Sequence, residues 1–185
     1  MTPVEPANLD LEAKGLLFDV RRSIRYHDKR AAFFERTHRV TNATTILLAS
    51  SVLFEIAYPD NKPNCWMQAL ALAGSFLAVL DLVVGLSVMG NKHRDLQRRF
   101  AMLEISLMAD PKHVKLSKYQ QERLLIEIDE PSPYVALDSI CRNELLRAMG
   151  EKTGYVEVRW WHRLTCHLWT WTNEDLKLRS DPVDK

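Results

Sequence analysis

The stretch CWMQALALAGSFLAVLDLVVGLSVMG, from Cys65 to Gly90, decides how the rest of the chain is read. At ~1.5 Å per residue a helix of this length reaches ~39 Å, enough for a hydrocarbon core of ~30 Å. Its one charged residue is Asp81. The breaker Pro59-Asp60-Asn61-Lys62-Pro63-Asn64 separates it from a second apolar run, Val40 to Tyr58. That run is weaker, because Thr41, Asn42, Thr44 and Thr45 dilute it and Glu55 interrupts it. Together the two runs predict a membrane hairpin with spans over 40–58 and 65–90.

The flanks orient the hairpin. Arg21, Arg22, Arg25, Lys29, Arg30, Arg36 and Arg39 precede the first run, and Lys92, Arg94, Arg98 and Arg99 follow the second. The connecting loop carries only Lys62, beside Asp60. Basic residues accumulate on the cytoplasmic side, so both termini are expected in the cytoplasm of an inner-membrane, multi-pass protein. The 26% of charged residues is ordinary for a soluble protein, but the average hides this segregation. The competing reading is a soluble bundle with two buried apolar helices. Met1 to Gly15 is acidic and proline-containing and lacks the features of a secretory leader, so the first run is expected in the mature protein.

Residues 1–15 are expected to form a flexible tail, and 16–110 the helical hairpin with its extensions. Through the first helix a three-four spacing runs Leu17, Val20, Ile24, His27, Ala31, Phe34, His38, Thr41, Thr45, Leu48, Val52 and Glu55, one seam passing from the basic segment into the apolar run. His27 and His38 on this seam are either tolerated polar positions or titrating groups at an interface. In the second run Ala71, Gly74, Ala78, Asp81 and Gly85 share a face. Small residues let helices approach closely in lipid. An ionised carboxylate is costly in hydrocarbon, so Asp81 should face protein or water. Counted from the outer loop it lies ~22 Å deep, level with Thr44. Its expected partners are Thr41, Thr44, Thr45 or Arg39, with Glu55 too near the outer surface to meet it. Two roles remain open for Asp81: a hydrogen-bonded link between helices, or the lining of a water-filled path in an oligomer.

Beyond Gly90, Met89, His93, Leu96, Phe100, Leu103 and Leu107 make an apolar stripe that Asp110-Pro111 ends. Helices are predicted over 115–129 and 134–149, with Pro131-Ser132-Pro133 between them and Gly150 as a stop. Residues 111–171 thus form a cytoplasmic or interfacial helical region, and 172–185 a second flexible tail. Trp160, Trp161, Trp169 and Trp171 lie among Arg159, His162, Arg163 and His167. Such a mixture suits either a membrane interface or a hydrophobic seal on the bundle. Cys65, Cys141 and Cys166 lack metal or disulfide spacing and are read as packing residues. His162 and His167 likewise lack a zinc-ligand set. No nucleophile and base stand at catalytic spacing, and Asp129, Glu130 and Asp138 near the proline turn are read as caps or surface charges.

Several stretches then fit one family in their order around the hairpin. These are Arg21-Arg22-Ser23-Ile24-Arg25-Tyr26-His27 and Phe33-Phe34-Glu35-Arg36 before the first span, Leu80-Asp81-Leu82-Val83-Val84-Gly85 in the second, and Leu96-Gln97-Arg98-Arg99-Phe100 after it. Ile128-Asp129-Glu130-Pro131-Ser132-Pro133-Tyr134-Val135-Ala136-Leu137-Asp138 and Asn143-Glu144 follow. On these residues, over 14–170, the chain resembles the SLATT superfamily of small two-pass membrane proteins in prokaryotic conflict systems. The resemblance implies a pore-forming effector that damages its own cell's membrane to limit phage or plasmid spread. It also implies a trigger from a separate sensor or a nucleotide-producing partner, since no fused sensor, nucleotide-binding loop or peptidase is legible. The expectation is therefore an all-α, non-enzymatic, homo-oligomeric pore in the lipid bilayer, with no cofactor, metal or nucleic acid. A change in cytoplasmic helix packing would open a path along Thr41, Thr45, Glu55 and Asp81. The alternative is a non-conducting scaffold that recruits a cytoplasmic partner through the helices after Gly90, with tolerance expected at Asp81 and sensitivity at the Phe100-Leu103-Leu107 stripe.

Overall fold

Proline at the first position of a helix loses nothing, because its missing N–H would have had no intrahelical partner there. In the computed structural model the first helix, α1, starts in this way and spans Pro6–Ala57. Residues 6–57, 65–110, 115–172 and 175–178 are described. Five more helices follow: α2 (Cys65–Val84), α3 (Leu86–Met108), α4 (Leu116–Glu127), α5 (Val135–Ala148) and α6 (Trp160–Thr165). Among the described residues helix is the only regular secondary structure apart from one isolated antiparallel bridge, Val156 to Leu178.

Two compact units emerge, one made of residues up to 30 and from 93 onward, the other of 31–92. The first has a conventional core. Leu16 and Val20 of α1 pack with Leu96, Phe100, Leu103 and Leu107 of α3 and with Leu116, Tyr119 and Ile126 of α4. Each such side chain contributes roughly 1.5–3 kcal/mol on burial. A second cluster gathers Tyr26, Ala136, Leu137, Cys141, Cys166 and Leu176. Ion pairs brace the surface of the unit: Arg21 to Glu104 at 2.7 Å, Lys29 to Glu144 at 2.7 Å, and Arg123 to both Asp19 at 2.8 Å and Glu127 at 2.7 Å.

Several expectations change here. The expected tail over 1–15 is helical from Pro6, because the apolar period extends back to Ala13, which is buried in the core. The stripe Phe100-Leu103-Leu107 is core rather than a docking face, since α1 and α4 cover it. Of the expected helical region 111–171, the described residues, 115–171, are helical only in α4, α5 and the six-residue α6. The expected tail from 172 is packed where it is described. Leu176 is buried, and Glu157 N donates to Lys177 O at 2.8 Å; polar neighbours had masked this one apolar anchor. Gly150 does end α5, with φ +79 in the left-handed region that favours glycine.

In the second unit the later part of α1 runs antiparallel to α2 and the start of α3. Gly74 sits against Leu48 and Thr45, and Gly90 against Phe34 and Ala31. A Cβ on Gly74 would come within 2.9 Å of Leu48 Cβ, so only glycine allows this approach. Gly85 separates α2 from α3 with φ +63, while Gly85 N still donates to Asp81 O and Met89 N to Gly85 O, both at 2.9 Å. The large side chains face outward: Leu82 is 82% exposed, Val83 76% and Leu72 72%.

One helix, over Cys65–Met108, is long and apolar enough to cross a membrane. Its apolar window is almost wholly exposed, with 6% buried. Of the two expected spans, only this one meets the criterion among the described residues; several side chains of the first, from Ser51 on, lie outside them.

Candidate functional site

The outward apolar face of α2 leaves few places for a charge, and Asp81 occupies the inward one. Its carboxylate meets His38 Nδ1 of α1 at 2.9 Å through Oδ2 and 3.1 Å through Oδ1. The Asp81 side chain is 14% exposed and that of His38 32%. The far nitrogen, His38 Nε2, lies 3.1 Å from the Asn42 amide one turn further along α1. Carboxylate, imidazole and amide thus form one polar chain, in which Nδ1 carries the proton donated to Asp81.

The expected partner of Asp81 is corrected by this geometry. Thr41, Thr44 and Thr45 are half-buried on α1, yet none bonds Asp81, and Arg39 donates to Glu35 O at 3.3 Å instead. Depth counted from the loop placed Asp81 level with Thr44. The register is set by the glycine contacts, Gly74 at Leu48 and Gly90 at Phe34, which bring Asp81 within reach of the long imidazole at position 38. His38 lies on the same seam as Thr41 and Thr45, but the seam alone does not say which of its members meets Asp81. Thr45 Oγ1 is buried with no hydrogen-bond partner in the chain, a condition that costs about 1–3 kcal/mol unless something else meets it. Glu55 falls within α1, but its side chain lies outside the described residues.

The four tryptophans divide into two pairs. Trp160 and Trp169 are 67% and 64% exposed, alongside exposed Leu164 and Leu168. Trp161 lies under the Arg159 guanidinium at 5.1 Å. Trp171 packs edge-on against His162, with ring centroids 4.5 Å apart, and donates its Nε1–H to Thr165 Oγ1 at 3.0 Å. The first pair fits an interfacial role and the second a packing role.

A second polar cluster lies in the other unit. His27 Nδ1 is 2.9 Å from His93 Nδ1, and His27 Nε2 is 2.9 Å from Glu130 Oε1. Glu130 is therefore a partner of a buried imidazole rather than a cap or surface charge, and only the fold brings it to His27. Asp138 pairs with Arg22 at 3.2 Å; burial pushes its carboxyl above the usual range, opposed by Arg22 and Arg142. Burial pushes the Cys141 thiol up to about 12, so it stays protonated and inert. Burial, aided by Arg30 and Lys29, brings His167 down to about 4. Of the cysteines read as packing residues, Cys141 and Cys166 are buried and Cys65 is exposed.

No family model, curated protein or solved structure matches this chain.

Proposed function

We propose that the protein is an oligomeric, pore-forming membrane effector of bacterial defence against phage or other invading elements. The observation that carries this reading is the inverted hairpin of residues 31–92, which is apolar outside and bears an inward His38–Asp81 pair. An exposed apolar exterior of this extent needs lipid or other subunits to cover it. An ionisable residue on the inner face of such a helix marks a polar path or a polar contact. Two helices do not enclose a pore, so several copies are required. Thr41, Thr44 and the unpartnered Thr45 then extend the polar lining from Asp81.

The resemblance to the SLATT superfamily supports the defence role and a trigger supplied by a partner or second messenger. The orientation, with both termini in the cytoplasm of the inner membrane, rests on the basic flanks. Their pairing with Glu104, Asp138 and Glu144 does not weaken the argument, because the positive-inside bias counts Lys and Arg rather than net charge. Trp160 and Trp169 serve as interfacial anchors. Induced expression with the native genetic neighbours present should depolarise cells, and Asp81→Leu should change the extent. A normal membrane potential with the wild type inserted would overturn the pore.

A second reading is a non-conducting scaffold. It is favoured by the exposed apolar residues of α3 and α4, namely Met102, Ile105, Met108, Leu124 and Leu125. This reading predicts tolerance at Asp81 and loss of partner recruitment in Ile105→Glu.

A further inference from the structure

The cluster of His27, His93 and Glu130 is buried too deeply to meet a substrate, with His27 1% and His93 2% exposed. Its geometry nonetheless counts protons. A carboxylate accepts, so the 2.9 Å contact to Glu130 fixes a hydrogen on His27 Nε2. The two Nδ1 atoms are 2.9 Å apart, and that gap holds one hydrogen: one nitrogen donates it and the other accepts. Either His93 donates to a neutral His27, or a protonated His27 donates to a neutral His93. Each arrangement permits at most one imidazolium. A second would set two N–H groups against each other with no room for either to turn. The Phe100 ring stacks on His27 at 5.7 Å, and the Tyr26 ring stands edge-on to His27 at 5.2 Å and to His93 at 6.4 Å.

We propose that His27, His93 and Glu130 form an acid-released latch, which ties α1 to α3 and to the 128–134 loop while the two imidazoles share one hydrogen, and which opens when both are protonated. The surrounding charges do not supply a way out. From α1, Arg22 is taken by Asp138 at 3.2 Å. Arg30 lies over the Tyr134 ring at 4.3 Å and donates to His167 O at 2.8 Å. Arg99 of α3 pairs with Asp129. Glu130 borders a cleft of about 120 Å³, shared with Glu127 of α4 and Asp138 of α5. These acids lie on the Glu130 side of the His27 ring. They do not relieve the conflict that a second proton raises on the opposite, enclosed side. Among the described residues no third ligand joins the pair to make a metal site. Histidine is the side chain whose charge ordinarily changes between pH 5 and 8, so pH is the variable that tests the latch. The latch is independent of whether the hairpin conducts.

Amide hydrogen exchange along α3, on the full chain in detergent and corrected for intrinsic rates, tests the latch. Between pH 7.5 and 5 the open fraction around His93 should rise by up to about tenfold per pH unit, the limit for uptake of one proton. His93→Asn can turn its amide N–H to the Nδ1 of a neutral His27, or its carbonyl oxygen to a protonated one, and does not titrate, so it should abolish that slope while keeping protection at pH 7.5. Equal protection at both pH values in the wild type, or the same slope in His93→Asn, would overturn the latch. If the variant fails to fold, ¹⁵N-histidine spectra of the wild type carry the test. The pair should titrate in two steps, with the second accompanying the loss of protection. Independent single titrations in an intact fold would overturn the latch, as would stoichiometric zinc binding by the pair at neutral pH.

Discussion

Phe76 and Phe100 stand on successive helices and are treated oppositely. Phe100 has no exposed surface, whereas Phe76 is 64% exposed. The contrast extends to the residues packed around them. Around Phe100, leucines fill a dry centre and charges pair on the outside. Around Phe76, the large apolar groups point outward, while Gly74, Gly90 and the His38–Asp81 pair face inward. The first unit thus has an apolar centre of the kind that folds in water. The second has the reverse arrangement, the one hydrocarbon would favour, since small residues and hydrogen bonds hold helices together there while apolar bulk faces outward. Each substitution below is expected to behave differently on the two sides of that division.

The largest effect belongs to the core. Phe100→Ala should cost about 3–5 kcal/mol, measured by denaturant unfolding of the full chain in detergent, while Phe76→Ala should leave the stability nearly unchanged. Equal losses would erase the contrast. Gly74→Leu comes next. Its Cβ would meet Leu48 Cβ at 2.9 Å, and overpacking of this kind costs about 1–3 kcal/mol. A fall in disulfide trapping between Leu48→Cys and Ala71→Cys in the Gly74→Leu background would report the separation of the helices.

The polar pair gives a third, somewhat smaller effect. Asp81→Leu or His38→Leu alone leaves one part-buried polar group without its partner, a loss near the low end of the about 1–3 kcal/mol that a fully buried group costs. The double substitution should recover most of it, because apolar groups replace both partners. A double-mutant cycle measures this coupling, and simple additivity would remove the pair from the account.

The smallest effect is a pH slope in the first unit. His167 has a folded-state value of about 4, well under the ordinary 6.5. Between those values the unfolded chain binds a proton that the folded chain does not, so stability rises with pH across this window. Its contribution is full above pH 6.5 and is lost as pH falls to about 4. Asp138 acts in the opposite direction: its raised carboxyl adds stability on the acid side, and this fades as pH rises past its folded value. Melting curves of His167→Gln should therefore show a shallower fall than the wild type between pH 6.5 and 4. An unchanged slope would place the proton uptake elsewhere.

Much of this division was legible in the sequence. The helices, the Pro131-Pro133 break and the Gly150 stop follow from periodicity and from two residue types with narrow backbone preferences. The small-residue face of α2 gave the inward position of Asp81. Its partner was not legible, because helix register depends on where glycines permit contact, and residue counting from a loop misses that by more than a turn. The Glu130–His27–His93 cluster was likewise out of reach. Its members are 103 and 66 residues apart in sequence, and no local spacing joins them. Leu176 was hidden for a simpler reason, as two leucines, Leu176 and Leu178, in a polar stretch are too few to set a period.

The central claim is that the apolar exterior of residues 31–92 faces lipid. Alkaline carbonate extraction of membranes from bacterial cells expressing the full chain tests it most directly. The account predicts that the protein stays in the membrane pellet and is released only by detergent. Recovery in the aqueous supernatant as a soluble, folded species would contradict it.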